Sequence, residues 1–127
     1  MKISHIALYA RDLEAVRDFY LHYFGGTSNR KYENPRTALA TYFIDFSGGA
    51  RLEIMSRPEV RSDARDDFAA GLTHIAFSVG GREAVDALTE RLEADGFLIA
   101  SRPRVTGDGY YESVVLDPEG NRIEITG

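Results

Sequence analysis

Ser4-His5-Ile6-Ala7-Leu8, near the start of the chain, is met again as Thr73-His74-Ile75-Ala76-Phe77, with the second histidine 69 residues after the first. The same spacing carries Glu14-Ala15-Val16 onto Glu83-Ala84-Val85. From Gly25 and Gly96 onward the offset is 71, and it matches Gly49 to Gly120 and Arg51-Leu52-Glu53-Ile54 to Arg122-Ile123-Glu124-Ile125. The second copy therefore holds two more residues in its helical stretch. Two copies make a duplication and not a solenoid, which needs about three or more stacked repeats.

Each copy reads as a strand, a helix and three further strands, so the expected fold class is α+β: paired βαβββ modules, residues 1–56 and 72–127, forming a half-open mixed sheet. Ile3–Tyr9 and Thr73–Val79 are the first strands. Asp12 is placed to cap a helix in which Leu13, Val16, Tyr20 and Phe24 recur at helical spacing. Gly25 suits the left-handed position that ends it. The second helix runs from about Arg82 to Asp95 on Val85, Leu88 and Leu92, with Gly96 as its stop. Further strands are expected at Thr27–Tyr32, Leu39–Phe46, Leu98–Val105 and Tyr110–Leu116. Turns at Ser47-Gly48-Gly49 and Asp117-Pro118-Glu119-Gly120 lead into the last strand of each copy. Between the modules, Arg57–Asp67 holds seven charges of mixed sign (Arg57, Glu59, Arg61, Asp63, Arg65, Asp66, Asp67), the pattern of a solvated connector.

Alternation along the strands decides where the polar side chains go. Leu52 and Ile54 share one face and Glu53 takes the other; Ile123 and Ile125 do the same against Glu124. Ile6 and Leu8 oppose His5, and Ile75 and Phe77 oppose His74. If the apolar faces pack on the helices, His5, Glu53, His74 and Glu124 all project from the other side. Two imidazoles and two carboxylates suit one divalent transition metal: the two charges neutralise the ion and open positions remain for water or substrate. Ala7 and Ala76, two residues beyond each histidine, leave room beside it. His22 has no counterpart in the second copy, and solvent exposure near a helix C-terminus accounts for it.

Composition sets the outer limits. The chain has 127 residues, 15 basic and 20 acidic, for a formal charge of −5. That is one domain's length, enough to bury about two-thirds of the unfolded chain's surface without a structural metal. The acidic balance argues against a nucleic-acid partner, and no apolar run reaches the roughly 18–20 residues of a membrane span. Arg11 and Asp12 interrupt any export signal, so a cytoplasmic location is expected. There is no cysteine, so thiolate nucleophiles and Cys-ligated zinc are excluded and any reacting thiol comes from outside.

On the opening His-Ile-Ala, the Asp12–Tyr20 helix, Gly71-Leu72-Thr73-His74-Ile75-Ala76-Phe77 and the closing Asp117-Pro118-Glu119-Gly120-Asn121-Arg122-Ile123-Glu124, the chain resembles the vicinal oxygen chelate superfamily over essentially its whole length. That superfamily includes glyoxalase I, fosfomycin-resistance proteins, extradiol dioxygenases, methylmalonyl-CoA epimerases and bleomycin-binding proteins. The resemblance implies a homodimer whose site can draw His5 and Glu53 from one chain and His74 and Glu124 from the other. Bleomycin-binding members lack the ligands. Dioxygenases and fosfomycin enzymes typically use two histidines and one glutamate, and epimerases tend to carry glutamine where Glu53 stands. His/Glu/His/Glu is the glyoxalase I pattern. Glutathione-using glyoxalases commonly carry arginine four residues after the first histidine and asparagine four after the first glutamate. Here those positions hold Tyr9 and Arg57, with Arg11 and Arg57 as candidates to meet a carboxylate.

The function implied is a metal-dependent, glyoxalase I-like (lactoylglutathione lyase-like) isomerase or lyase. It would act on a small α-hydroxycarbonyl or hemithioacetal through an enediolate, with Glu124 as the general base and Glu53 as the base for the other face. The cofactor is one divalent ion (nickel, zinc, cobalt, manganese or iron suit the ligands equally), with a thiol as possible cosubstrate. Tyr42, Phe43, Tyr110 and Tyr111 are candidates to line the cleft. A 2-acyl-CoA epimerase and a non-catalytic protein that sequesters a small toxin or antibiotic are the alternatives.

Overall fold

In both halves of the molecule the histidine strand pairs in parallel with the glutamate strand, and the apolar residues of each pair set which face the helix covers. The computed structural model describes residues 1–62, 66 and 68–127. Asp63, Arg65 and Asp67 of the expected connector lie outside the described residues. The chain divides into two compact units, residues 1–63 and 64–127, and the fold is mixed α+β.

In the first unit, β1 (His5–Tyr9) is followed by α1 (Leu13–Phe24), β2 (Thr27–Ser28), β3 (Tyr32–Asn34), β4 (Leu39–Asp45) and β5 (Arg51–Ser56). The sheet order is β1-β5-β4-β2, with β3 also paired to β4. Asp12 Oδ1 accepts from the Ala15 amide at 3.0 Å, and Gly25 at φ 65° ends the helix in the left-handed region that its missing Cβ permits. Leu13, Val16, Phe19 and Tyr20 are the helix's buried residues; they and the buried Leu8, Ile44, Leu52 and Ile54 supply this unit's core.

The second unit runs β6 (His74–Ser78), α2 (Arg82–Ala94), β7 (Ile99–Val105), β8 (Tyr111–Leu116) and β9 (Arg122–Thr126), with sheet order β6-β9-β8-β7. Val85, Leu92, Val115, Ile123 and Ile125 are fully buried. Thr89 also points into this core, donating to the Val85 carbonyl at 2.6 Å and meeting Ser113 Oγ at 2.7 Å, so its hydroxyl is satisfied where water cannot reach. The turn into β9 is clamped by Asp117, whose Oδ1 accepts from the amides of Glu119 and Asn121 at 2.9 and 2.8 Å. Its Oδ2 accepts from Asn121 Nδ2 at 2.7 Å.

One expected strand is broken. Thr27–Tyr32 is two short pieces, because Asn29 takes over the pairing with Phe43: its amide donates to the Phe43 carbonyl at 3.1 Å and its Oδ1 accepts from the Phe43 amide at 2.8 Å. The matching β7 stays whole but carries register shifts between Ile99 and Ser101 and between Ser101 and Arg104. It is an edge strand, where Pro103 removes no needed ladder bond.

Candidate functional site

The two units use one register to bring a histidine and a glutamate together. In the first, Ala7 lies opposite Glu53 and His5 opposite Arg51. In the second, Ala76 lies opposite Glu124 and His74 opposite Arg122. Each histidine is therefore diagonal to its glutamate, with an alanine methyl directly across from the carboxylate. Leu52, Ile54, Ile123 and Ile125 are buried on the helix side, as alternation demands, and all four polar residues project from the opposite, open face.

The geometry of the pairs is nearly the same. His5 Nε2 stands 3.6 Å from Glu53 Oε2, and His74 Nε2 stands 3.5 Å from Glu124 Oε2. These are longer than a good hydrogen bond. Two donors each about 2.1 Å from one ion, at a tetrahedral angle, would stand about 3.4 Å apart, so each pair has the spacing of two ligands sharing a metal. The other ring nitrogen is occupied in both cases: Ser4 Oγ lies 3.3 Å from His5 Nδ1, and Thr73 Oγ1 lies 2.9 Å from His74 Nδ1. In the tautomer where Nδ1–H donates to the hydroxyl, Nε2 carries the lone pair that a metal would take. The residues present thus fit a divalent ion, with His5, Glu53, His74 and Glu124 able to supply donors two by two. Among the described residues, no group of three or more His, Cys, Asp or Glu side chains is gathered at one point.

The walls around the two pairs differ. On the first open face, Phe43 lies opposite Glu53 and meets the His5 ring edge-on at 5.7 Å, while the Arg51 guanidinium lies over Phe43 at 4.5 Å. On the second, Val114 lies opposite Glu124 and Glu112 is diagonal to it. Burial and the neighbouring negative charge of Glu124 push the Glu112 carboxyl above the usual carboxylate range, against the pull of Arg104. Glu112 escapes a search for matched residues, because its counterpart at offset 71 is Thr41. The signal that would find it is its period-two position on the open face of β8.

Three of the four aromatic residues expected beside the site lie elsewhere. Tyr42 pairs with Ile54 on the helix side, donates to Glu14 at 3.1 Å and carries Arg17 over its ring at 4.9 Å. Tyr111 likewise faces α2, donating to Asp86 Oδ1 at 2.7 Å. Tyr110 sits exposed in the turn before β8. Only Phe43 shares a face with a histidine pair. His22 is exposed in the last turn of α1.

Two adjoining clefts of the first unit open at the far end of β1 and β5 rather than over the His5–Glu53 pair. One, of about 310 Å³, is lined by Tyr9, Arg57, Glu59, Val60 and Arg61. The other, of about 390 Å³, shares Arg57 and Val60 and adds Arg11. Arg57 is held by Glu59 through Nε at 2.8 Å.

The fold agrees with what the chain is similar to. The family model of the Glyoxalase/Bleomycin resistance protein/Dioxygenase superfamily matches residues 2–125. The chain belongs to that superfamily. Among curated relatives, the uncharacterized protein YqjT of Bacillus subtilis is 27% identical over 97% of this chain and 96% of its own length. Among solved structures, a glyoxalase family protein from Enterococcus faecalis superposes with a TM-score of 0.80 at 26% identity, over 99% of this chain and 97% of that one. The lactoylglutathione lyase of Agrobacterium tumefaciens gives 0.68 at 27% identity, over 98% and 91%. No helix among the described residues is long and apolar enough to cross a membrane.

Proposed function

We propose that this protein is a metal-dependent isomerase or lyase of the glyoxalase I type, acting on a small α-hydroxycarbonyl or the hemithioacetal of one with an external thiol. The observation that carries the reading is the repeated His–Glu pairing at 3.6 and 3.5 Å, with each Nδ1 held by a hydroxyl and each Nε2 facing a carboxylate. His5, Glu53, His74 and Glu124 would together hold one divalent ion, within one chain or across a homodimer. When bound, such an ion supplies Lewis-acid stabilisation of negative charge on the substrate's vicinal oxygens.

The chain's own residues then divide the work. The histidines remain fixed by Ser4 and Thr73 and hold their orientation through turnover. Glu124 takes the proton from the carbon beside the carbonyl and returns it to the neighbouring carbon, with Glu53 serving the opposite face. Exclusion of water is needed to bring a carboxylate base toward neutral pH, and a dimer cleft would provide it. Ala7 and Ala76 leave space for the substrate next to the carboxylates. Arg11 and Arg57, which line the clefts at the far end of β1 and β5, would be the candidates to meet an anionic end of a longer substrate.

The test is turnover of the methylglyoxal hemithioacetal by the nickel-, cobalt-, manganese- and zinc-loaded protein, followed with deuterium at the exchanging carbon. Glu124→Gln should lower kcat by 100-fold or more, on the order of a general base's usual contribution, in a protein that keeps its fold. Unchanged turnover in that variant sinks the assignment of the base. Tight binding of the substrate with no chemical change, metal being present, points instead to a sequestering protein.

A further inference from the structure

Arg51 stands directly across from His5 in the parallel pair of β1 and β5, two residues before Glu53 on the same open face. Its guanidinium is held from two sides: Cζ lies over the Phe43 ring at 4.5 Å, and Nε stands 2.8 Å from Asp45 Oδ1. Yet Nε makes no hydrogen bond. Among the described residues it is the one buried side-chain nitrogen or oxygen without a partner of that kind. A buried donor left without an acceptor is costly, and each such atom in a folded protein calls for an explanation. The side chain as a whole is 43% exposed, which leaves the outer nitrogens as the donors open to a ligand. The half-site is close by. Phe43 meets the His5 ring at 5.7 Å, centre to centre, so the guanidinium carbon is no further from the imidazole centre than those two ring distances together. Between an ion on His5 and this fork there is room for a substrate of a few carbons.

We propose that Arg51 is a specificity-determining residue that receives a carboxylate of the substrate, so that the preferred α-hydroxycarbonyl carries an acid group beyond its two vicinal oxygens. This rests on the reading of His5 and Glu53 as donors to a metal that holds those oxygens. A guanidinium offers five N–H donors in a planar fork that matches a carboxylate. Asp45, itself half exposed, pairs at the stem nitrogen, and the fork keeps donors for a second carboxylate. Stacking on Phe43 restricts the guanidinium in advance, so less freedom is lost when it engages. An anionic substrate approaching Glu53 meets like charge, and Arg51, on the same strand, compensates it. In the second unit the matched Arg122 faces Leu116, and Val114 lies across from Glu124, so neither Asp45 nor Phe43 is repeated there. The acid group therefore belongs on the side of the first unit.

The experiment is calorimetric titration of the nickel-loaded protein with tartronate and, separately, with lactate, so that binding is read without turnover. Each acid can chelate through its hydroxyl and one carboxylate; tartronate carries a second carboxylate where lactate has a methyl group. The ratio of the two affinities in Arg51→Met is the baseline for chelation alone, and any change the variant causes at the metal cancels in it. In the parent the ratio should exceed that baseline by about 10- to 100-fold, the usual worth of hydrogen bonds between charged groups. Arg51→Lys, which keeps the charge without the planar fork, should fall between the two. Arg102→Met, which removes an arginine paired with Glu93 on the edge strand β7, should keep the parent's ratio. Circular dichroism checks that each variant is folded. The same ratio in the parent and in folded Arg51→Met overturns the inference while the metal reading stands. If the parent takes up no nickel, the metal reading fails and this inference falls with it, a result the loading step gives before either acid is added.

Discussion

A metal held jointly by the two half-sites has a thermal signature whose size can be worked out. Each half-site offers one imidazole and one carboxylate at 3.6 or 3.5 Å, and two carboxylates are needed to neutralise a divalent ion. The prediction is one ion per chain. At free metal 100 times Kd, binding to the native state alone stabilises by about 2.7 kcal/mol. Unfolding entropy of about 2.1 cal/mol/K per residue, over 127 residues, amounts to about 0.27 kcal/mol/K, so Tm should rise by about 10 °C. His5→Ala removes one donor from the first unit only. If it costs at least 100-fold in affinity, the same metal concentration is at or below Kd, the stabilisation drops to about 0.4 kcal/mol and the shift to about 1–2 °C. Scanning calorimetry with and without metal, with elemental analysis of the loaded protein, reads both quantities. Two ions per chain, with half of them surviving in His5→Ala, would refute joint ligation. No shift with nickel, cobalt, manganese or zinc would refute the metal reading altogether.

Tyr42→Phe should cost about 1 kcal/mol, or about 4 °C in Tm, and leave turnover unchanged, because the hydroxyl it removes bonds Glu14 on the helix side of the sheet. The Lys31 hydrogen bond, against opposing burial and with help from Tyr42 and Arg17, holds Glu14 below its ordinary value of 4.5. Its contribution is therefore fully present above pH 4.5 and lost as pH falls through the lowered value. Acid titration of Glu14→Gln should lack that loss and show a deficit of under about 1 kcal/mol at neutral pH, since the carboxylate is half exposed. Gly26→Ala should destabilise by about 1–3 kcal/mol in denaturant melts, because a Cβ there would stand 2.5 Å from Ile44 Cγ2 and 3.0 Å from Phe46.

What the sequence made legible follows from where its patterns were unambiguous. Arg51-Leu52-Glu53-Ile54 and Arg122-Ile123-Glu124-Ile125 alternate strictly, so the faces of Glu53 and Glu124 could be read directly. In β4 the run Leu39-Ala40-Thr41-Tyr42-Phe43-Ile44 is nearly all apolar or aromatic and has no period of two. Nothing in it says which aromatic ring faces the helix; the pairing of Tyr42 with Ile54 and of Phe43 with Glu53 decides it. The break in the second strand turns on the Asn29 side chain competing with the ladder, a choice that composition leaves open. Ser4 and Thr73 stood in the matched motif from the outset, but their role depends on a distance to Nδ1. Glu112 was hidden for the opposite reason: comparing the copies finds what they share, and Glu112 is a difference.

That difference is part of a pattern. On the strands that carry the donors, the open faces keep His, Ala, Arg and Glu in common at matched positions. The remaining open-face residues part company: Tyr9 stands against Ser78, Met55 against Thr126, Phe43 against Val114, and Thr41 against Glu112. The candidate donors are thus the same in both units, while the first sheet sets Phe43 and Met55 where the second sets Val114 and Thr126, and Thr41 where the second sets Glu112. Phe43, edge-on to His5, gives the first side an apolar surface suited to an alkyl substituent, whereas Glu112 and Arg104 give the second side a polar row ending on Glu124. In the proposed reaction Glu124, on the side of that polar row, would be the base and Glu53 its counterpart for the other face.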